Sequence, residues 1–198
     1  MNSLRTRLVL GMTALAVVVR IAPYLLDRAG LVPYASFSAS LLSVAPVSAM
    51  FLFGGARLKN RWLGLLAPLA ALLVSDVLIG AIMADPVYYT LDPTRGAVVF
   101  GMVLIAGLGG TVAEDASPLR IAGTAVVGEV LFYLVTNFAF WVFTDWYPHT
   151  AAGLVTNYTL ALPFLGRQLL GMAVWGTALF GGLAWAERGV RHSSRQWS

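Results

Sequence analysis

Three ionisable side chains stand inside otherwise apolar runs of this chain: Arg20, Asp76 and Glu129. A charge in hydrocarbon costs about 2.5 to 3.5 kcal/mol on insertion scales, so such residues face a bundle interior or a cavity, pair with one another, or sit on an ion or proton path. Arg20 and Asp76 fall at similar depth along two runs that cross in the same direction. An internal charge pair between the first and third helices is expected from them, with snorkelling of Arg20 to the interface as the alternative. Glu129 opens a row of Glu129, Tyr133 and Asn137, four residues apart and therefore on one helical face. A polar row on a spanning helix must look inward. With Thr136 and Trp141 it either lines a ligand pocket or bonds neighbouring helices at about 0.6 kcal/mol per bond. Glu129 lies nearest mid-membrane and is a candidate for proton linkage, or else hydrogen-bonds a neighbouring helix.

Other chemistries find little support. There is no cysteine, which excludes disulfides, thiolate metal sites and cysteine nucleophiles. His149 and His192 lie far apart in sequence, so no paired-histidine metal site is expected. Gly107-Leu108-Gly109-Gly110 lacks the lysine and the strand-turn-helix setting of a phosphate loop. Asp85, Asp92, Asp145 and His149 remain as loop residues that a lipid-active enzyme could use on one face.

The elements that must position these residues follow from composition. Of 198 residues, 59% are hydrophobic and 11% charged, and the mean hydropathy is +0.78. Soluble domains carry about 25% charged residues, so this is an integral membrane protein. A span needs about 20 apolar residues, which leaves room for roughly six and for no separate soluble domain. The expected fold is all-α, one domain over residues 1–198, with six transmembrane helices in one bundle. The spans read as Leu8 to Leu26, Phe37 to Ala56, Trp62 to Met83, Gly96 to Ala113, Leu119 to Phe143 and Leu165 to Ala186.

Placing both termini in the cytoplasm puts Arg5, Arg7, Arg57, Lys59, Arg61, Arg120, Arg188, Arg191 and Arg195 inside, against Arg28, Arg95 and Arg167 outside. That asymmetry is the positive-inside pattern. The net charge of +4 therefore reads as topology and predicts no nucleic-acid partner. Ala14-Leu15-Ala16 after Arg5 and Arg7 also resembles a signal-peptide cleavage site, which is the alternative for the first run. The outer loops are longer and carry Tyr88, Tyr89, Trp146, Tyr147, Asn157 and Tyr158, suited to recognition or to an interfacial aromatic belt. Within the last of them, Thr150 to Leu162 reads as a short interfacial or re-entrant helix. Small residues at four-residue spacing, such as Ala178 and Gly182, predict close helix crossing.

Arg20-x-x-Pro23, Ser75-Asp76, Thr136-Asn137-Phe138, Trp141, Tyr147-Pro148, Gly153-Leu154, Tyr158 and Pro163-Phe164 together resemble a bacterial family of small integral membrane proteins described as putative transport proteins. That family in turn resembles the S components of energy-coupling-factor vitamin transporters. The resemblance spans most of the chain and is densest from Phe132 to Phe164. It implies an outward-facing pocket roofed by outer loops that captures a vitamin-like molecule, cobalamin-type compounds among them, in a bacterial inner membrane. It also implies docking on a shared membrane subunit driven by ATPases, through an alanine-x-x-x-alanine pattern on the first helix. Residues Gly11 to Arg20 lack that pattern.

The reading is thus a membrane transport or substrate-capture protein without covalent chemistry, cofactor or resident metal. Asn137, Trp141, Tyr147, Asn157, Tyr158 and Tyr133 are the expected ligand contacts, Arg20 and Asp76 the supporting charge pair. Its partners are a small-molecule substrate, the lipid bilayer and an energy-coupling module. The rivals are a lipid-active membrane enzyme and a non-transporting partner or assembly protein.

Overall fold

The computed structural model describes residues 2–34, 46–85 and 92–195, with side chains over 4–34, 46–85 and 92–188. Helix α1 is Asn2–Arg28, α2 Val47–Arg57, α3 Arg61–Met83, α4 Thr94–Gly109 and α5 Pro118–Phe143. Helix α6, Ala151–Gly176, runs through a π-helical turn, Thr177–Gly181, into α7, Gly182–Arg195. The stretch Phe37 to Ala45 of the expected second span, Tyr88 and Tyr89, and the side chain of His192 lie outside the described residues.

Local chemistry sets the helix ends. Side-chain oxygens of Asn60, Ser117 and Thr150 accept from the amides of Leu63, Arg120 and Gly153, capping α3, α5 and α6 at their N-termini. Asp92 Oδ1 accepts from Thr94 N at 2.8 Å where α4 begins. α1 stops at Gly30, whose φ of +70° is left-handed and free of Cβ strain only in glycine.

Among the described residues, four helices are long and apolar enough to cross a membrane: Leu4–Arg28, Arg61–Met83, Pro118–Phe143 and Ala151–Arg188. α4 is shorter than the expected Gly96 to Ala113. It ends at Gly109, and its 16 residues rise about 24 Å. The last expected span also needs correction. Thr150 to Leu162 is no separate interfacial element but the first half of α6, which continues unbroken past Pro163. Membrane helices tolerate an internal proline because neighbouring groups satisfy the freed backbone.

The centre of the bundle is α2, where Met50, Phe51, Leu52 and Phe53 are all buried. It can sit there because Gly54-Gly55 offers bare backbone on two sides. A Cβ on Gly54 would lie 2.8 Å from the Cα of Gly64 on α3, and one on Gly55 would lie 3.0 Å from the amide nitrogen of Gly110 after α4. In a bilayer, where apolar burial gives little drive between helices, such close approach gives the packing that holds them. Around α2, α1 packs along α3, α4 along α5, and α5 along α6. Both ends of the chain come together: Arg5 near the start of α1 bonds Glu187 in α7, the Arg57 carbonyl at the end of α2, and Glu114 after α4.

Candidate functional site

Three polar clusters join the helices of the bundle. The first is built on Arg20. Its Nε donates to Ser75 Oγ at 2.6 Å and its Nη2 to Asp76 Oδ1. The two expected partners are therefore brought together, since α1 and α3 run parallel and carry them to the same depth. A third member comes from α4: Arg95 Nη1 lies 3.3 Å from Asp76 Oδ2. One buried carboxylate thus holds two guanidinium groups. Sequence reasoning misses Arg95 because it stands in the first turn of a helix, in a segment that reads as outer loop.

The second cluster joins α5 to α6. Tyr133 Oη donates to the Tyr158 carbonyl, and Tyr158 Oη donates back to the Leu134 carbonyl at 2.8 Å. Asn157 Nδ2 donates to the Asn137 carbonyl at 2.8 Å, and Asn137 Nδ2 to the Tyr133 carbonyl at 2.8 Å within its own helix. Trp141 Nε1 donates to the Pro148 carbonyl at 2.9 Å and stacks edge-on against His149. Tyr147 meets Phe140 edge-on at 6.4 Å. The six expected ligand contacts are brought to one region, and the side chains of five of them donate to backbone carbonyls. What this arrangement does chemically is staple two helices at the end bearing the 144–150 loop.

Glu129 is fully buried, and neither carboxyl oxygen has a hydrogen-bond partner among the described residues. Ser48 of α2 faces it without reaching hydrogen-bond geometry. Asp92 is bonded to Thr94, and His149 Nε2 lies 3.3 Å from the Thr144 carbonyl oxygen. No three metal-ligating side chains come together among the described residues.

The third cluster sits at the end where the termini meet, and it borders a cavity of about 590 Å³. The walls are the first half of α5, with Ile121, Ala122 and Ala125, and the α6 to α7 rod, with Met172, Ala173 and Phe180. This volume is within the range of about 300 to 1,000 Å³ typical of small-molecule sites. It arises because α5 and α6 are held tightly at the Tyr133 and Tyr158 level and present small side chains, Ala122 and Ala173, toward the other end. The π-helical turn Thr177–Gly181 forms part of the wall. Such turns are rare and concentrate at functional sites.

At the mouth, Arg5 Nη1 bonds Glu114 at 2.7 Å and Arg5 Nη2 bonds Glu187 at 3.0 Å. The hydrogen bond from Arg5, reinforced by its charge, holds the Glu114 carboxyl below its ordinary range. Arg57, 7% exposed, donates to the Ala56 and Ala113 carbonyls and lies over the Phe180 ring. The sequence signal for this site is ambiguous, because small residues that leave a hollow look the same as small residues that let helices touch.

Residues 1–194 match a family described as a family of unknown function, DUF6580. No curated protein and no solved structure matches the chain.

Proposed function

The chain belongs to that family of unknown function, DUF6580, and from this premise we propose that it takes up a small molecule in the cavity between α5 and the α6 to α7 rod and moves it across a bacterial cytoplasmic membrane, through a cavity at the terminus end rather than the outward-facing pocket of an S component. The chain crosses the bilayer six times, with α6, the π-helical turn and α7 counted as one span and α2 as part of the second, Phe37 to Ala56. Both termini are cytoplasmic, a placement supported by the basic residues Arg5, Arg57 and Arg188 at the end where the termini meet.

The observation that carries the reading is the cavity itself, apolar along α5 and α6, charged at one end and bounded by a π-helical turn. The ligand site is thus assigned to the end opposite the 144–150 loop. Asn137, Trp141, Tyr147, Asn157, Tyr158 and Tyr133 serve as the frame that fixes one end of the two cavity helices. Arg20, Asp76 and Arg95 fix α1, α3 and α4 around them. The first helix lacks the docking pattern, so capture is assigned to this chain without a shared module.

The test is mass spectrometry and an absorbance spectrum of compounds released from the protein after gentle extraction in a neutral detergent. A stoichiometric compound released from the wild type and absent from Ala173→Phe, which puts a bulky ring into the cavity between α5 and α6, is the expected result. Equal release from both proteins, or none from folded wild type across several growth media, overturns the reading.

A further inference from the structure

The charges at the cavity mouth are unevenly matched. Arg5 commits Nε, Nη1 and Nη2 to Glu114, Glu187 and the Arg57 carbonyl. Arg57 then has no carboxylate partner among the described residues. Both of its hydrogen bonds leave from Nη1, so Nε and Nη2, one edge of the guanidinium fork, are open to an incoming acceptor. With Arg188 also at the mouth, three guanidinium groups face two carboxylates. A buried cation with a free two-donor edge matches the two oxygens of a carboxylate or phosphate. Phe180 backs the opposite face of that guanidinium, its ring centroid 5.1 Å from Cζ, and holds the fork in place.

Away from this charged end the polarity of the lining changes at once. From Pro118 to Val126 on α5, a rise of about 12 Å, the wall offers proline, isoleucine, alanine and valine, faced by Leu169 and Met172 on α6. A free inorganic anion has no use for such a wall. A neutral apolar molecule has none for the open guanidinium edge.

We propose that the cavity binds an amphiphile with one anionic head, carboxylate or phosphate, seated on Nε and Nη2 of Arg57, with its hydrocarbon tail laid between α5 and the α6 to α7 rod. This rests on the capture reading of the same cavity and names its ligand class. Charge complementarity selects the head, and the apolar wall selects the tail. The head lies at the depth of the Arg5 and Glu187 pair, where the spans end, so the ligand sits as a membrane amphiphile does.

The experiment measures binding of radiolabelled oleate to the full chain in maltoside detergent, with competition by dioleoyl phosphatidylglycerol, by monoolein and by inorganic phosphate. Oleate is expected to bind about tenfold more tightly than monoolein, and Arg57→Gln to bring it down to the monoolein level. Displacement by phosphatidylglycerol identifies bilayer lipid as the source, and its failure to displace identifies a free fatty acid; both support the proposal. Monoolein binding as well as oleate overturns the anionic head while leaving capture intact. Inorganic phosphate competing as well as the amphiphiles overturns the tail, and no binding of either amphiphilic anion overturns the proposal. Oleate binding unchanged in Ala173→Phe removes the ligand from this cavity and so contradicts the capture reading as well. If Arg57→Gln fails to fold, the wild-type comparison of oleate with monoolein decides.

Discussion

The guanidinium of Arg57 lies over the ring of Phe180, 5.1 Å from its centroid, and so joins the end of α2 to the π-helical turn across the mouth of the cavity. Neither residue stands out alone. Arg57 reads as one of three basic residues in a short loop with Lys59 and Arg61, and Phe180 as an apolar position in a span. Their meeting converts a topological charge into a buried one, and it places that charge where an apolar cavity ends.

Removing partners of Asp76 should have unequal effects. Asp76→Ala removes the carboxylate that Arg20 and Arg95 share, whereas Arg20→Ala leaves Asp76 still held by Arg95. Losing one member of a buried pair costs about 3 to 5 kcal/mol. Asp76→Ala is expected to fall in that range and Arg20→Ala below it, with the double variant less damaged than Asp76→Ala alone. Thermal unfolding in detergent reads the order, and equal losses for the two single variants would refute the shared-carboxylate arrangement.

The α5 to α6 staple should be structural and modest. Tyr158→Phe and Tyr133→Phe each remove one interhelical hydrogen bond, worth about 0.6 kcal/mol in membrane proteins. Both variants are expected to unfold slightly earlier while retaining the wild-type ligand content. Ligand lost from Tyr158→Phe with stability unchanged would return these residues to a binding role.

Part of this organisation is legible in the sequence and part is not. Arg20 and Asp76 stand out because an apolar background isolates every charge, and the run lengths alone place them at matched depth. The row Glu129, Tyr133, Asn137 is legible from its spacing. Spacing fixes a helical face, however, and cannot say whether the hydroxyl on it is spent on a neighbouring carbonyl or kept for a ligand. Arg95 is hidden because its reach to Asp76 depends on how α4 leans on α3. The unbroken passage of α6 through Pro163 is hidden for a similar reason, since only the packing around a helix decides whether proline breaks it. The cavity is the least legible feature, being made by Ala122 and Ala173 on helices far apart in sequence.

Glycine substitutions should separate contact from mere presence. Gly55→Ala places a methyl against the backbone of Ala106 and Gly110 and is expected to cost about 1 to 3 kcal/mol. Gly123→Ala, with nothing within 4 Å, should be neutral or stabilising by up to about 1 kcal/mol. Detergent thermal melts of the two variants check this, and an unharmed Gly55→Ala would contradict the central placement of α2.

Acid should loosen the cavity mouth. The carboxyl of Glu114 is lowered from its ordinary value of 4.5 by the hydrogen bond from Arg5. A depressed carboxylate contributes stability that is fully present above the unfolded value and is lost as pH falls through the folded one. The wild type is therefore expected to lose stability below pH 4.5 more steeply than Glu114→Gln, which lacks this linkage. Identical pH profiles would show that the Arg5 to Glu114 bridge contributes nothing.

The central claim is that the ligand lies between α5 and the α6 to α7 rod, at the end where the termini meet. The most direct measurement is photolabelling of the wild-type protein with a diazirine-bearing oleate, followed by peptide mapping of the adducts. Labels on residues 118–126 and 169–185, lost in Ala173→Phe, are the result the account predicts. Labels confined to residues 133–158, or spread unchanged over the variant, would contradict it.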